Sequence, residues 1–136
     1  MSEFQTISKL NTTGSCWKSI LQNEVEYQYN SYGTSIAYKY NDIRFFNNTF
    51  YSMTTRKHQG IIRIYVNTDI ELNHQRKGLV YNKADIIERL SEELSGLNYE
   101  LKEFLAHRMT KKNKERIKNN VLTMRKINKL INGGLN

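Results

Sequence analysis

Val25-Glu26-Tyr27-Gln28-Tyr29-Asn30-Ser31-Tyr32-Gly33-Thr34-Ser35-Ile36-Ala37-Tyr38-Lys39-Tyr40 decides the fold. Val25, Tyr27 and Tyr29 alternate with Glu26, Gln28 and Asn30, and after Tyr32-Gly33 a second alternation sets Ile36, Tyr38 and Tyr40 on one side. A period of two belongs to strands with unlike faces, and a glycine between two such runs marks a reversal. Asn41-Asp42 then makes a two-residue hairpin break before a third strand, Ile43-Arg44-Phe45-Phe46. The simplest assembly is an antiparallel meander whose tyrosines pack their rings and leave hydroxyls at a wet edge.

Outward from the meander, the flanks predict helices. Ser15-Cys16-Trp17-Lys18-Ser19-Ile20-Leu21 opens like a short helix, with Ser15 as cap and Trp17, Ile20 and Leu21 spaced i, i+3, i+4. Residues 1–14 are expected to be a loosely held arm. Thr54-Thr55 before Arg56-Lys57-His58-Gln59 looks like a cap and first turn, placing Ile61, Ile62 and Tyr65 on one helical face. The competing reading breaks the chain at Gly60 and makes Ile61 to Val66 a β-branched strand. Residues 67–82 have no period and read as a long connection.

The last third carries the clearest helical signal. Asn82 can cap, and Ile87, Leu90, Leu94, Leu97, Leu101 and Phe104 recur at steps of three and four, a heptad seam interrupted by Gly96. The phase fails between Ala106 and Asn113, and a new stripe follows through Ile117, Val121, Met124, Ile127 or Asn128, and Ile131 until Gly133-Gly134. Two helices are expected, folded back as a hairpin or bent apart. The expected fold class is α+β: a small Tyr-rich antiparallel sheet with one or two packed helices, followed by a C-terminal helical hairpin. Residues 1–81 form the α+β part and residues 82–136 the hairpin, within one structural unit.

The chain of 136 residues is long enough for one modest core. No window approaches the ~18 consecutive apolar residues of a membrane span, and Met1-Ser2-Glu3-Phe4-Gln5 lacks the pattern of a secretory signal, so a cytoplasmic protein without membrane contact is expected. Cys16, the single cysteine, has no partner for an internal disulfide. His58, His74 and His107 lack ligand spacing, so neither metal nor cofactor is expected. Phosphate-binding Gly-Lys-Ser loops, dinucleotide fingerprints and serine elbows are absent, which disfavours the common enzyme classes.

Charge is concentrated at one end. Of 21 Lys and Arg, nine lie in residues 107–136 against the single acid Glu115, a local excess of eight that equals the net charge of the whole chain, +8. Arg108, Lys111, Lys112, Lys114, Arg116, Lys118, Arg125, Lys126 and Lys129 are therefore the candidate contacts to nucleic acid or a host nucleoprotein. The helix bearing them lacks the Trp and Phe of an interfacial membrane anchor. A second candidate is an anion site at Thr54, Thr55, Arg56, Lys57 and His58, where a helix start would offer free amides. The seam over residues 87–104 is a candidate homodimer interface.

Two blocks agree in order and spacing with a known pattern: Tyr32-Gly33-x-x-Ile36-Ala37, then Tyr51-Ser52-x-Thr54-Thr55-x-x-His58-Gln59. Over about residues 15–66 the chain resembles a small domain of unassigned function recurrent in bacteriophage and mobile-element proteins. The resemblance implies an origin, and it supplies no site residues. Proteins of that origin without catalytic motifs are commonly nucleic-acid binders or inhibitors of a bacterial defence system. Likeness to anti-CRISPR proteins, which belong to the second kind, extends to size and style alone. The expected function is non-enzymatic binding of nucleic acid or a host nucleoprotein. The alternatives are inhibition of a host defence protein by protein–protein binding and a small phosphodiester-active enzyme using His58.

Overall fold

The computed structural model describes residues 16–20 and 25–135. The α+β class holds. Five strands, β1 (Cys16–Ile20), β2 (Val25–Ser31), β3 (Thr34–Tyr40), β4 (Ile43–Asn47) and β5 (Ile70–Leu72), form one sheet in sequence order. All neighbours are antiparallel except β4 and β5, which are parallel. Among the described residues the α-helices are α1 (Met53–Tyr65), α2 (Lys83–Ala106) and α3 (Lys111–Lys129). Two compact units divide the chain at Ile86/Ile87.

In the first unit, both tight hairpins turn through consecutive left-handed residues: Tyr32 (φ +51°) and Gly33 (φ +77°), then Asn41 (φ +46°) and Asp42 (φ +65°). Such turns match the right-handed twist of the strands they join. Gly, Asn and Asp accept the conformation readily, whereas a tyrosine there is strained.

Register explains how the core face is filled. Tyr29 pairs with Ala37 and Asn30 with Ser35, so Ile36 is the extra residue of a β-bulge. The bulge lets Ile36 and Ala37 both join the cluster of Tyr29, Phe46, Ile62 and Val66, with Tyr27 and Ile61 at its margin. On the opposite face Tyr38 and Phe45 stack at 5.2 Å, beside a buried polar row of Gln28, Asn30 and Ser35. The Ser35 hydroxyl donates to Gln28 Oε1 and accepts the Val80 N–H at 3.1 Å, which ties the connection before α2 to the sheet.

Three expectations change, and the choice between helix and strand at Ile61 is decided for the helix. Cys16–Ile20 is a strand, pairing with Ser31 back to Tyr27, rather than a helix. Five residues of helix would gain few internal bonds for a costly nucleus, while a strand there completes the edge of β2. Ser15, Leu21 and the arm over residues 1–14 lie outside the described residues. The cap of α1 is Ser52, whose Oγ accepts the Thr55 N–H at 3.1 Å, because the Thr55 side chain is engaged sideways with Ser31. Ile61 to Tyr65 is helical: Ile62 and Val66 enter the core while Ile64 stays exposed, so burial at helical spacing outweighs β propensity. The connection over residues 67–82 contains β5, three residues too few to display a period. Its entry is fixed by Asp69, which gives its N–H to the Arg44 carbonyl (2.7 Å) and takes the Arg44 N–H on Oδ2 (2.8 Å).

Asn82 caps α2 as expected, its Oδ1 accepting the Asp85 N–H at 2.9 Å. In the second unit α2 and α3 fold back as a hairpin: Asn120 Nδ2 donates to Glu100 Oε2 at 3.3 Å, and Arg116 lies over the Phe104 ring at 5.7 Å. Thr110 caps α3, accepting the Asn113 N–H at 3.1 Å. The regular helix stops at Lys129, before the expected glycines, and a wider turn over Leu130–Gly134 closes through left-handed Gly133 (φ +130°). Of the seam, Leu90 and Leu97 are buried, and Ile87, Leu94, Leu101 and Phe104 are half-buried.

Candidate functional site

Two features gather the residues singled out above, one in each unit. On α3 the side facing α2 is set by Asn113, Ile117, Asn120, Met124 and Ile127, all buried or half-buried. At 100° per residue, Lys111, Lys114, Lys118, Arg125 and Lys129 fall within about 60° of arc, centred roughly 140° from that inner side. All five are exposed. With ~1.5 Å rise per residue they make a cationic stripe about 27 Å long, the length of roughly eight base pairs at ~3.4 Å each.

The other candidate cations are placed differently. Arg116 turns toward Phe104, Lys112 and Lys126 lie on the flank away from the stripe, and Arg108 sits in the connection before α3. The stripe is thus narrower than the candidate set, because helical phase rather than composition decides which cations share a face. Exposed ammonium and guanidinium groups in line, with Glu115 as the lone acid of the helix, attract a linear polyanion.

The second feature is a cavity of about 200 Å³ in the first unit, between the β2–β3 hairpin and the start of α1. Ser31, Tyr32 and Thr34 line it from the hairpin, and Tyr51, Ser52 and Thr55 from the entry to α1. Lys77 joins them from the connection after β5. Ser31 Oγ lies 2.7 Å from His58 Nδ1 and 3.0 Å from Thr55 Oγ1. Burial pushes the His58 pKa below its usual value, since the imidazolium would be poorly solvated there. The neutral ring orients Ser31, and its Nδ1 can take or give the shared proton. The Tyr51 hydroxyl donates to the Gln75 carbonyl at 2.9 Å and accepts from Asn47 Nδ2 at 2.8 Å, so its ring forms a fixed wall.

Of the expected anion residues, Thr55 alone lines this cavity, and His58 stands behind Ser31. Thr54 and Lys57 are exposed on α1, and Arg56 is drawn to Asn48 Oδ1 (2.5 Å) and the Phe50 ring (5.5 Å). Sequence reasoning missed Ser31, Tyr32, Thr34 and Lys77 as site residues. The turn at Tyr32-Gly33 was a usable signal for the first three, since it brings both strand ends to the helix start. Nothing in the local sequence marks Lys77.

Among the described residues no group of three His, Cys, Asp or Glu is placed to hold a metal ion, and no helix is long and apolar enough to cross a membrane. Neither a curated protein nor a solved structure matches the chain. A family model does match, over residues 4–71, which takes in the Tyr32-Gly33 turn, α1 and the start of β5 and spans half of the chain. The protein belongs to this family of unknown function, DUF8033.

Proposed function

We propose that the protein is a small accessory protein of phage type, acting in the cytoplasm of a host cell without catalysis, that binds nucleic acid or a host nucleoprotein through α3. The observation that carries this reading is the stripe of Lys111, Lys114, Lys118, Arg125 and Lys129 on the side of α3 turned away from α2. Such a surface needs no base-reading motif to hold phosphates, and it gives little sequence preference. The family match ends at residue 71, so the stripe is a property of this chain outside the matched segment.

Fluorescence anisotropy with a labelled duplex tests the reading. Five phosphate contacts give log K against log salt a slope of about −4.5. Reversing the five cations together (Lys111→Glu, Lys114→Glu, Lys118→Glu, Arg125→Glu, Lys129→Glu) should abolish binding and leave the helix content unchanged, because all five are exposed. A variant that still binds with the wild-type slope overturns the proposal. A chain that ignores DNA and RNA at low salt yet captures a defence nuclease would overturn it in favour of inhibition by protein–protein contact.

A further inference from the structure

The cavity beside α1 is lined by hydroxyls and one lysine, with no carboxylate among them. The Thr34 hydroxyl oxygen accepts the Gly78 N–H (3.3 Å) and the Ser52 oxygen accepts the Thr55 N–H (3.1 Å), so each retains an O–H proton to donate. With its proton on Nδ1, His58 donates to Ser31, and the Ser31–Thr55 pair then turns one hydroxyl proton outward. Lys77 adds an ammonium, and no Asp or Glu is among the lining residues. An oxyanion needs donors and benefits from a cation, and this lining supplies both. The volume of about 200 Å³ equals roughly six or seven waters at ~30 Å³ each, room for a phosphoryl group and the first atoms of its substituent.

Tyr32 also lines the cavity; the residue is 61% exposed, its ring centroid lies 6.2 Å from that of His58, and its backbone sits at φ +51°. Asparagine would serve the turn with less strain, and the ring gains little burial in return. A costly conformation that holds an aromatic surface over a donor-rich cavity points to a use for that surface.

We propose that this cavity binds a phosphate monoester bearing a flat aromatic group, with the phosphate held by Ser31, Thr34, Ser52, Thr55 and Lys77 and the aromatic group stacked on Tyr32. A nucleoside monophosphate is the simplest ligand of that class. This site is independent of α3: it uses other residues and would stand if the cationic stripe bound nothing.

Isothermal titration of the full chain with AMP, inorganic phosphate and adenosine tests the proposal. AMP should bind saturably and about ten-fold more tightly than phosphate, the increment of one stacked base, and adenosine should not bind measurably. Tyr32→Asn should bring AMP down to the affinity of phosphate, and Lys77→Met should weaken both anions several-fold. The chain with all five α3 cations reversed should bind AMP as the wild type does. No heat from AMP at about 10 mM overturns the proposal, since the expected affinity lies at millimolar or below. So does equal binding of AMP and adenosine, wild-type affinity in a folded Tyr32→Asn or Lys77→Met variant, or loss of AMP binding on reversal of the α3 charges.

Discussion

Replacing Tyr32 by asparagine should make the protein more stable, although it removes a large side chain. For an L-residue other than Gly, Asn or Asp the left-handed region costs roughly 1–2 kcal/mol, and Tyr32 sits there at φ +51°. Against this stands the ring's packing. The residue is 61% exposed, and among the described residues its ring meets the tilted His58 ring at 6.2 Å, a contact worth about 0.5 kcal/mol. The balance favours the variant by about 0.5–1.5 kcal/mol. For a chain of this size that raises the melting temperature by roughly 2–6 °C. Thermal melts followed by far-UV circular dichroism, with urea midpoints read at unchanged slope, measure it directly. A variant that melts at or below the wild-type temperature refutes the reasoning, because the turn would then hold no strain for asparagine to relieve. A gain in stability coupled to a loss of AMP binding is the trade expected where strain serves a site.

Gly60 lies inside α1 with no heavy atom within 4 Å of an added Cβ, so Gly60→Ala should stabilise by about 1 kcal/mol in urea titration; a loss would mean that the helix surface there is occupied. His58 has its pKa lowered by burial, so the native state binds fewer protons than the unfolded chain as pH falls. Its contribution to stability is complete above the unfolded value near 6.5 and declines as pH drops through and below it. His58→Asn, which keeps a neutral hydrogen-bonding group near the Nδ1 position, should flatten the wild-type fall in melting temperature between pH 7.5 and 5, and parallel profiles would contradict the assignment.

The meander was legible in the sequence because alternation over several residues and turn residues at Gly33 and Asn41-Asp42 are local signals that tertiary packing then reinforces. β1 was misread because Trp17 and Ile20 satisfy a helical spacing by coincidence in a stretch of five, and the hydrogen bonds of β2 decide the outcome. The heptad seam and the break at Ala106 were legible for the same reason as the meander, since each repeats many times. The cavity was only half legible. Thr55 and His58 stand three residues apart, but Ser31 lies 27 residues before His58 and Lys77 arrives from a loop, so their meeting is a product of topology. For the cationic set the residue types were readable and the face was not, because the phase of α3 is fixed by which side packs on α2.

The brevity of β5 has a consequence for behaviour at high concentration. This strand ends the sheet on its side, is three residues long and carries the exposed, charged Glu71 at its centre. A second molecule approaching that border finds too few open amides and carbonyls to extend the ladder, and a like charge in the way. Chain-to-chain strand addition, the first step toward fibrils, is discouraged there by length alone, and lengthening β5 with β-branched residues would remove that protection.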